Sequence, residues 1–179
     1  MELPTPRTFV NNSKLAFGCS HTFGVGVDGD EAWAFLLNAS NYGVGGCSTD
    51  YISRIFPEVI ALSNPTIVYI LWPDWSRFEY LNEKSEYAQS LATDKNRIQF
   101  MEFATDDWLT LNFKTQCANI QSICDINDIK LIALSLYDLI PHIDHADKWP
   151  LSKLGHHYSP EWHKWVAEIF RNAENLQPQ

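Results

Sequence analysis

The chain has 179 residues, 45% hydrophobic and 20% charged, and a net charge of −9 from 13 basic and 22 acidic side chains. That length reads as one domain over 1–179, able to bury a core without disulfide or metal staples, and the composition excludes disordered and collagen-like chains. The acidic balance repels phosphate backbones and argues against a nucleic-acid partner, and no apolar run approaches the length a bilayer requires.

The opening residues, MELPTPRTFVNNSK, lack the apolar stretch of a secretory signal, so a cytoplasmic location without a membrane partner is expected. Residues 1–12 and 172–179 read as frayed ends. Cys19, Cys47, Cys117 and Cys124 show no CxxC spacing and make no disulfide scaffold. Cys117 and Cys124 lie on one expected helix, roughly 10 Å apart along its axis. That is too far to bridge, and both read as buried thiols.

Lys14 to Cys19 (KLAFGC) predicts a short buried strand, ended by Gly18 and the polar Ser-His-Thr. Asp30 is placed to cap a helix whose Trp33, Leu36 and Leu37 share one face. Asn41 to Gly46 (NYGVGG) ends a second short strand in a glycine-rich turn. Thr49 opens a helix with Ile52, Ile55, Phe56, Val59 and Ile60 in one stripe, which Pro57 kinks or restarts. Thr66 to Leu71 (TIVYIL) predicts a strand buried on both faces of a parallel sheet. Residues 73–104, polar and aromatic, predict a loop with some helix. Thr105 caps a long helix carrying Leu109, Phe113, Cys117, Ile120 and Cys124 on one face. Lys130 to Ser135 (KLIALS) predicts another buried strand. Ser159-Pro160 opens the last helix, with proline at its first position and a stripe of Trp162, Trp165, Val166, Ile169 and Phe170.

The alternation of strand and helix predicts an α/β fold, a parallel sheet covered by helices on both faces. Ligands of such sheets bind beyond the carboxyl ends of the strands. The residues that follow strands therefore carry the chemistry: Gly18 to His21, Gly43 to Ser48, Trp72 to Arg77 and the His-rich stretch after Tyr137. Ser20 can present its oxygen at the first turn, with its own N–H beside it. Gly46 lets backbone come close to a ligand and donate to a developing oxyanion. His157, just before the last helix, is placed to take the Ser20 proton and return it to a leaving group. His156 fills that role if the register shifts. His21, Trp72, Asp74 and Arg77 are the candidate substrate contacts. Trp75, Phe78 and Tyr80 either line a cleft with Trp72 or pack a long loop onto the core. Arg77 and Glu79 are either a structural ion pair or substrate contacts.

These three blocks, in this order, resemble the SGNH (GDSL-type) hydrolase family. AFGCSHTFGVGVDGDEAWAFLL at 16–37 resembles the family's opening strand, Gly-Asp-Ser turn and following helix, which puts Ser20 on the nucleophile. Asn41 to Gly46 resembles its Asn-x-x-x-x-Gly turn, with Gly46 on the oxyanion glycine. His157-Tyr-Ser-Pro-Glu-Trp-His163 resembles the stretch before its final helix, with His157 on the catalytic histidine. The resemblance implies a three-layer α/β/α sandwich with a flavodoxin-like sheet of about five strands. It also implies a Ser-dependent esterase that needs no cofactor and acts on a small ester or an acetylated carbohydrate.

The sequence departs from the family in three places. Cys19 replaces the Asp before the nucleophile, Leu154 stands where the triad Asp belongs, and Pro73 stands where the third block supplies an Asn donor. Asp144 and Asp147 are the candidates to orient His157. Arg77 or Ser76 could donate to the oxyanion or to a substrate acid. The alternative function is a degenerate binding module for a small ligand or glycan on the same fold. His142, Asp144, His145, Asp147, His156 and His157 make a His/Asp-rich stretch, but Pro141 works against a regular helix there and no HExxH occurs, so no metal is assigned. Cys19 and Cys47, each after a core strand, read as small buried residues or as a redox-sensitive pair.

Overall fold

The computed structural model describes residues 5–81, 87–89, 105–139 and 157–176. Four parallel strands form its sheet: β1 (Lys14–Gly18), β2 (Ser40–Asn41), β3 (Ile67–Trp72) and β6 (Lys130–Ser135), in the order β2-β1-β3-β6. Among the described residues the sheet thus has four strands rather than about five, in the flavodoxin-like order expected. β1 lies between β2 and β3 because KLAFG can be buried on both faces. Leu15, Ala16 and Phe17 are all fully buried. Their alternation divides two cores. Leu15 and Phe17, with Val68 and Ile70 of β3, pack under α3 (Thr49–Ser63) and α4 (Asp106–Ile126). Ala16, Tyr69 and Leu71 pack under α2 (Trp33–Leu36), the single turn α5 (Leu136–Leu139) and α6 (Pro160–Asn175). Helices on both faces make the three-layer sandwich.

Local chemistry explains most boundaries. Ser48 caps α3 by accepting from Tyr51 N–H at 3.2 Å, and Thr105 caps α4 by accepting from Trp108 N–H at 3.2 Å. The stripe Ile52, Ile55, Phe56, Val59 and Ile60 is buried throughout, and α3 runs through Pro57 without a restart. Pro160 occupies the first turn of α6, whose Trp162, Val166, Ala167 and Phe170 are fully buried.

Five expectations are corrected. Asp30 does not cap α2: the helix is a single turn preceded by Ala32, and Trp33 N–H is met by His163 Nδ1 at 3.3 Å. β6 is not a buried strand but half-exposed, with only Ile132 of its residues buried, because it has one neighbour in the described sheet. Among the described residues, the stretch after β3 holds a two-stranded antiparallel ribbon that the sequence did not suggest, β4 (Glu79–Leu81) and β5 (Tyr87–Gln89), while residues 82–86 and 90–104 lie outside the described residues. The amino-terminal segment is not frayed from residue 5 on. Arg7 N–H donates to Asn41 O at 2.8 Å, Asn41 N–H donates to Thr8 O at 2.9 Å, and Ser40 Oγ accepts from Val10 and Asn11 N–H. At the other end, α6 keeps residues 172–175 helical. No helix among the described residues is long and apolar enough to cross a membrane.

Candidate active site

β1, β2 and β3 run parallel, so their carboxyl ends open on one edge of the sheet. β1 ends at Gly18, and Ser20 begins the single helical turn α1 (Ser20–Phe23). The first N–H groups of a helix have no acceptor within it. Here Thr22 and Phe23 N–H turn back to Cys19 O, while those of Ser20 and His21 take no backbone acceptor among the described residues.

The second turn is bonded directly onto the first. Val44 N–H donates to Gly18 O at 3.0 Å and the Cys47 thiol donates to the same carbonyl at 3.2 Å. Asn41, fully buried, donates from Nδ2 to Thr22 O at 2.8 Å and accepts from Gly43 N–H at 2.9 Å. Cys47 N–H closes the turn on Val44 O, and Gly46 at φ 75° holds the left-handed position that a type II turn requires of its third residue. Gly43 approaches α1 so closely that a Cβ there would lie 2.4 Å from Phe23 N. These contacts lay the Gly46 turn against the Ser20 turn. Cys19 and Cys47 come near each other as unpaired, buried thiols, and burial pushes the Cys47 thiol well above the ordinary cysteine range. A neutral thiol is a poor nucleophile.

The third loop follows β3. Pro73 opens it, and Asp74 shapes it: its Oδ1 accepts from Ser76 N–H at 2.8 Å and from Ser76 O–H at 2.6 Å. Arg77 N–H closes the turn on Asp74 O at 3.1 Å. Asp74 is therefore engaged by its own loop. Trp72 is corrected from substrate contact to core: it is 6% exposed and meets Phe113 edge-on. Phe78 is buried too. The Arg77–Glu79 ion pair is also replaced. Glu79 pairs with Arg54 through two bonds of 2.7 Å, and its N–H donates to Asp50 at 3.1 Å. Beside this loop a cleft of about 250 Å³ opens between the ends of β3 and β6, lined by Pro73, Trp75, Thr110, Phe113, Lys114 and Ser135.

The last piece arrives with the segment before α6. The His21 ring lies 5.4 Å from that of His157, 5.3 Å from Tyr158 and 5.6 Å from Trp162. His157 is thereby brought to the Ser20 turn, and its Nδ1 is buried. Burial lowers the His21 pKa to about 3, helped by the nearby charges of His157, His163 and Arg77, so the ring is a neutral packing group at neutral pH. It joins the two loops. His163 packs against Trp162 of its own helix and accepts the Trp33 N–H of α2. Asp144, Asp147, Leu154 and His156, with His142 and His145, lie outside the described residues. No group of three or more His, Cys, Asp or Glu arranged to hold a metal occurs among the described residues.

One residue that shapes the site carried no signal in the sequence. Arg7 stacks over the Phe23 ring at 4.4 Å and donates to Phe23 O, to Gly24 O at 2.7 Å and to Val27 O at 2.9 Å. It fastens the carbonyls that follow α1. An isolated arginine before the first strand gives no local pattern from which such partners could be read.

No protein-family model matches the sequence, and no curated protein matches it. Solved structures do. A lipolytic protein of the G-D-S-L family from Desulfitobacterium hafniense superposes with a TM-score of 0.58 at 16% identity, covering 90% of this chain and 99% of that one. This chain has the SGNH-hydrolase fold. An acetyl-xylooligosaccharide esterase mutant from Geobacillus gives 0.47 at 11% identity, over 93% of this chain and 96% of that one. A GDSL-like lipase from Bacteroides thetaiotaomicron gives 0.42 at 16% identity, over 90% and 87%.

Within the SGNH fold, the third block departs most. Pro73 is buried and has neither an amide side chain nor an N–H, so no donor comes from that position. The nearest cation on the same loop is Arg77. Its charge bears on both His21 and the Cys47 thiol, the neighbours in sequence of Ser20 and Gly46.

Proposed function

We propose that this chain is a serine ester hydrolase acting on a small ester or an acetylated carbohydrate. One observation carries the reading: the His157 loop meets the turn that bears Ser20, with 5.4 Å between the His21 and His157 rings. Ser20 Oγ attacks the acyl carbonyl and its proton passes to His157. The Ser20 and Gly46 N–H groups hold the oxyanion. The C–O bond to the alcohol breaks and His157 returns the proton to the leaving oxygen. Water then attacks the acyl-serine through the same histidine, which gives its proton back to Ser20 as the acid leaves. Asp144 or Asp147 orients His157 in place of the Asp that Leu154 replaces. A serine enzyme whose histidine lacks that partner loses about 10⁴-fold in kcat.

The test is labelling by a fluorophosphonate probe, with 4-nitrophenyl acetate turnover alongside, in wild type and Ser20→Ala. Labelling and turnover should both vanish in the variant. Labelling that survives would show that Ser20 is not the nucleophile. Folded wild-type protein that takes no label would favour the second reading, a binding module, for which the Leu154 and Pro73 departures speak.

A further inference from the structure

Among the described residues, Arg77 is a guanidinium on a loop at this edge of the sheet that belongs to no ion pair. The described residues contain two ion pairs, Lys14–Glu174 and Arg54–Glu79, and Arg77 belongs to neither. Its Nη1 is buried and has no hydrogen-bond partner among the described residues. Shortage of carboxylates is not the reason, since the chain has 22 acidic against 13 basic side chains. Both acids beside it in sequence are turned elsewhere: Asp74 Oδ1 holds Ser76, and Glu79, with a side chain only 4% exposed, is clamped by Arg54. The titratable groups on which its charge acts do not answer it either, because His21 is neutral and the Cys47 thiol is held protonated.

A buried guanidinium donor without an acceptor destabilises the resting protein, and a carboxylate that reaches it removes that cost. The planar fork of arginine matches a carboxylate through two parallel bonds, which an ammonium cannot copy. The position decides what the anion belongs to. Arg77 stands on the loop after β3, and its charge reaches the neighbours of both Ser20 and Gly46. An acid bound there would belong to a ligand at the carboxyl edge of the sheet, where the proposed nucleophile also stands.

We propose that Arg77 binds a carboxylate of the substrate, so that this site takes esters carrying a negative charge close to the scissile bond. The proposal rests on the esterase reading for the identity of that bond, and on Arg77 alone for the charge. The acid can sit on the acyl side or on the alcohol side. Two substrate pairs separate these. 4-Nitrophenyl hydrogen succinate against its near-isostere 4-nitrophenyl butyrate tests the acyl side. 4-Acetoxybenzoate against its methyl ester tests the alcohol side.

For each pair the ratio of kcat/KM, charged over neutral, is measured in wild type, Arg77→Met and Arg77→Lys. The ratio should fall about 10- to 100-fold in Arg77→Met for one of the pairs, as loss of a charge-assisted hydrogen bond implies, and recover in part in Arg77→Lys. The pair that responds names the side. A ratio unmoved in both pairs, including by equal losses on charged and neutral esters, overturns the proposal and leaves Arg77 to the oxyanion or to the fold. Where folded wild type turns over no ester, the esterase reading fails and calorimetric titration with succinate decides the charge. Binding to wild type that Arg77→Met abolishes upholds the anion site. No binding, or equal binding to both proteins, removes it.

Discussion

Replacing His163 by Asn tests how α6 is held against the wall of the site. The ring is 2% exposed, and its Nδ1 accepts the Trp33 N–H that opens α2. Burial lowers its pKa to about 4, with the charges of Arg7 and His157 acting in the same direction. An unfolded chain protonates this histidine near 6.5. Between those values the unfolded chain binds the extra proton, so the contribution is fully present above pH 6.5 and is lost as pH falls toward 4. At pH 5 the loss is about 2 kcal/mol, from about 1.4 kcal/mol per pH unit over the 1.5 units below 6.5. Asn offers Oδ1 as an acceptor at similar reach and does not titrate. His163→Asn should be less stable than wild type at pH 7.5 by about 1–3 kcal/mol, since the ring's packing on Trp162 goes. The gap should narrow by about 2 kcal/mol at pH 5. Urea unfolding followed by tryptophan fluorescence at the two pH values measures it. His21 titrates with the same sign but is present in both proteins and cancels. An equal gap at pH 7.5 and pH 5 would refute the reasoning.

Two further substitutions probe the frame around Ser20. Gly43→Ala would set a Cβ 2.4 Å from Phe23 N and 2.8 Å from Thr22 C, both backbone atoms. It should cost about 1–3 kcal/mol and lower the melting temperature by several degrees, and an unchanged melting curve would show that α1 shifts freely. Glu79→Gln leaves Arg54 half-buried without its carboxylate and should cost about 3 kcal/mol in chemical denaturation. Glu79→Leu with Arg54→Met should recover most of that loss, and a double variant no better than the single would mean that the pair is not what holds the loop.

What the sequence made legible was local and periodic. KLAFGC and TIVYIL are strands because each carries an unbroken run that stays in the core, Leu15 to Phe17 and Val68 to Leu71, and the stripes of α3 and α6 follow from 3.6-residue spacing. Thr49, Thr105 and Pro160 mark helix starts through bonds or geometry within a few residues. The misses all depend on partners far along the chain. α2 starts after Asp30 because its leading donor is met by a residue 130 positions away. Segment 5–12 is ordered because Ser40 and Asn41 pair with it, not through any propensity of its own. Trp72 looked like a platform for a ligand because it follows an apolar run, yet the strand simply extends one residue further. Glu79 was legible as a partner for an arginine, but the choice of Arg54 over Arg77 depends on how α3 lies beside β4. At the candidate site, Ser20, Gly46 and His157 could be nominated from their place after strands or before a helix. Arg7 could not.

The chain order of the site has a consequence for how the protein comes into being. The Ser20 and Gly46 turns are joined by bonds among residues 16–47, and β3 completes the neighbourhood of β1 by residue 72. These contacts span short stretches of chain, and domains synthesised from the amino terminus assemble their early parts first. The histidine reaches them only when α6 docks, through Phe170 stacked on Trp33 at 4.7 Å and edge-on to Tyr69 at 5.5 Å. On the proposed reading, a nascent chain therefore carries Ser20 and the Gly46 turn well before it carries His157. If Ser20 is the nucleophile, it stays dormant during synthesis until one carboxy-terminal helix is buried.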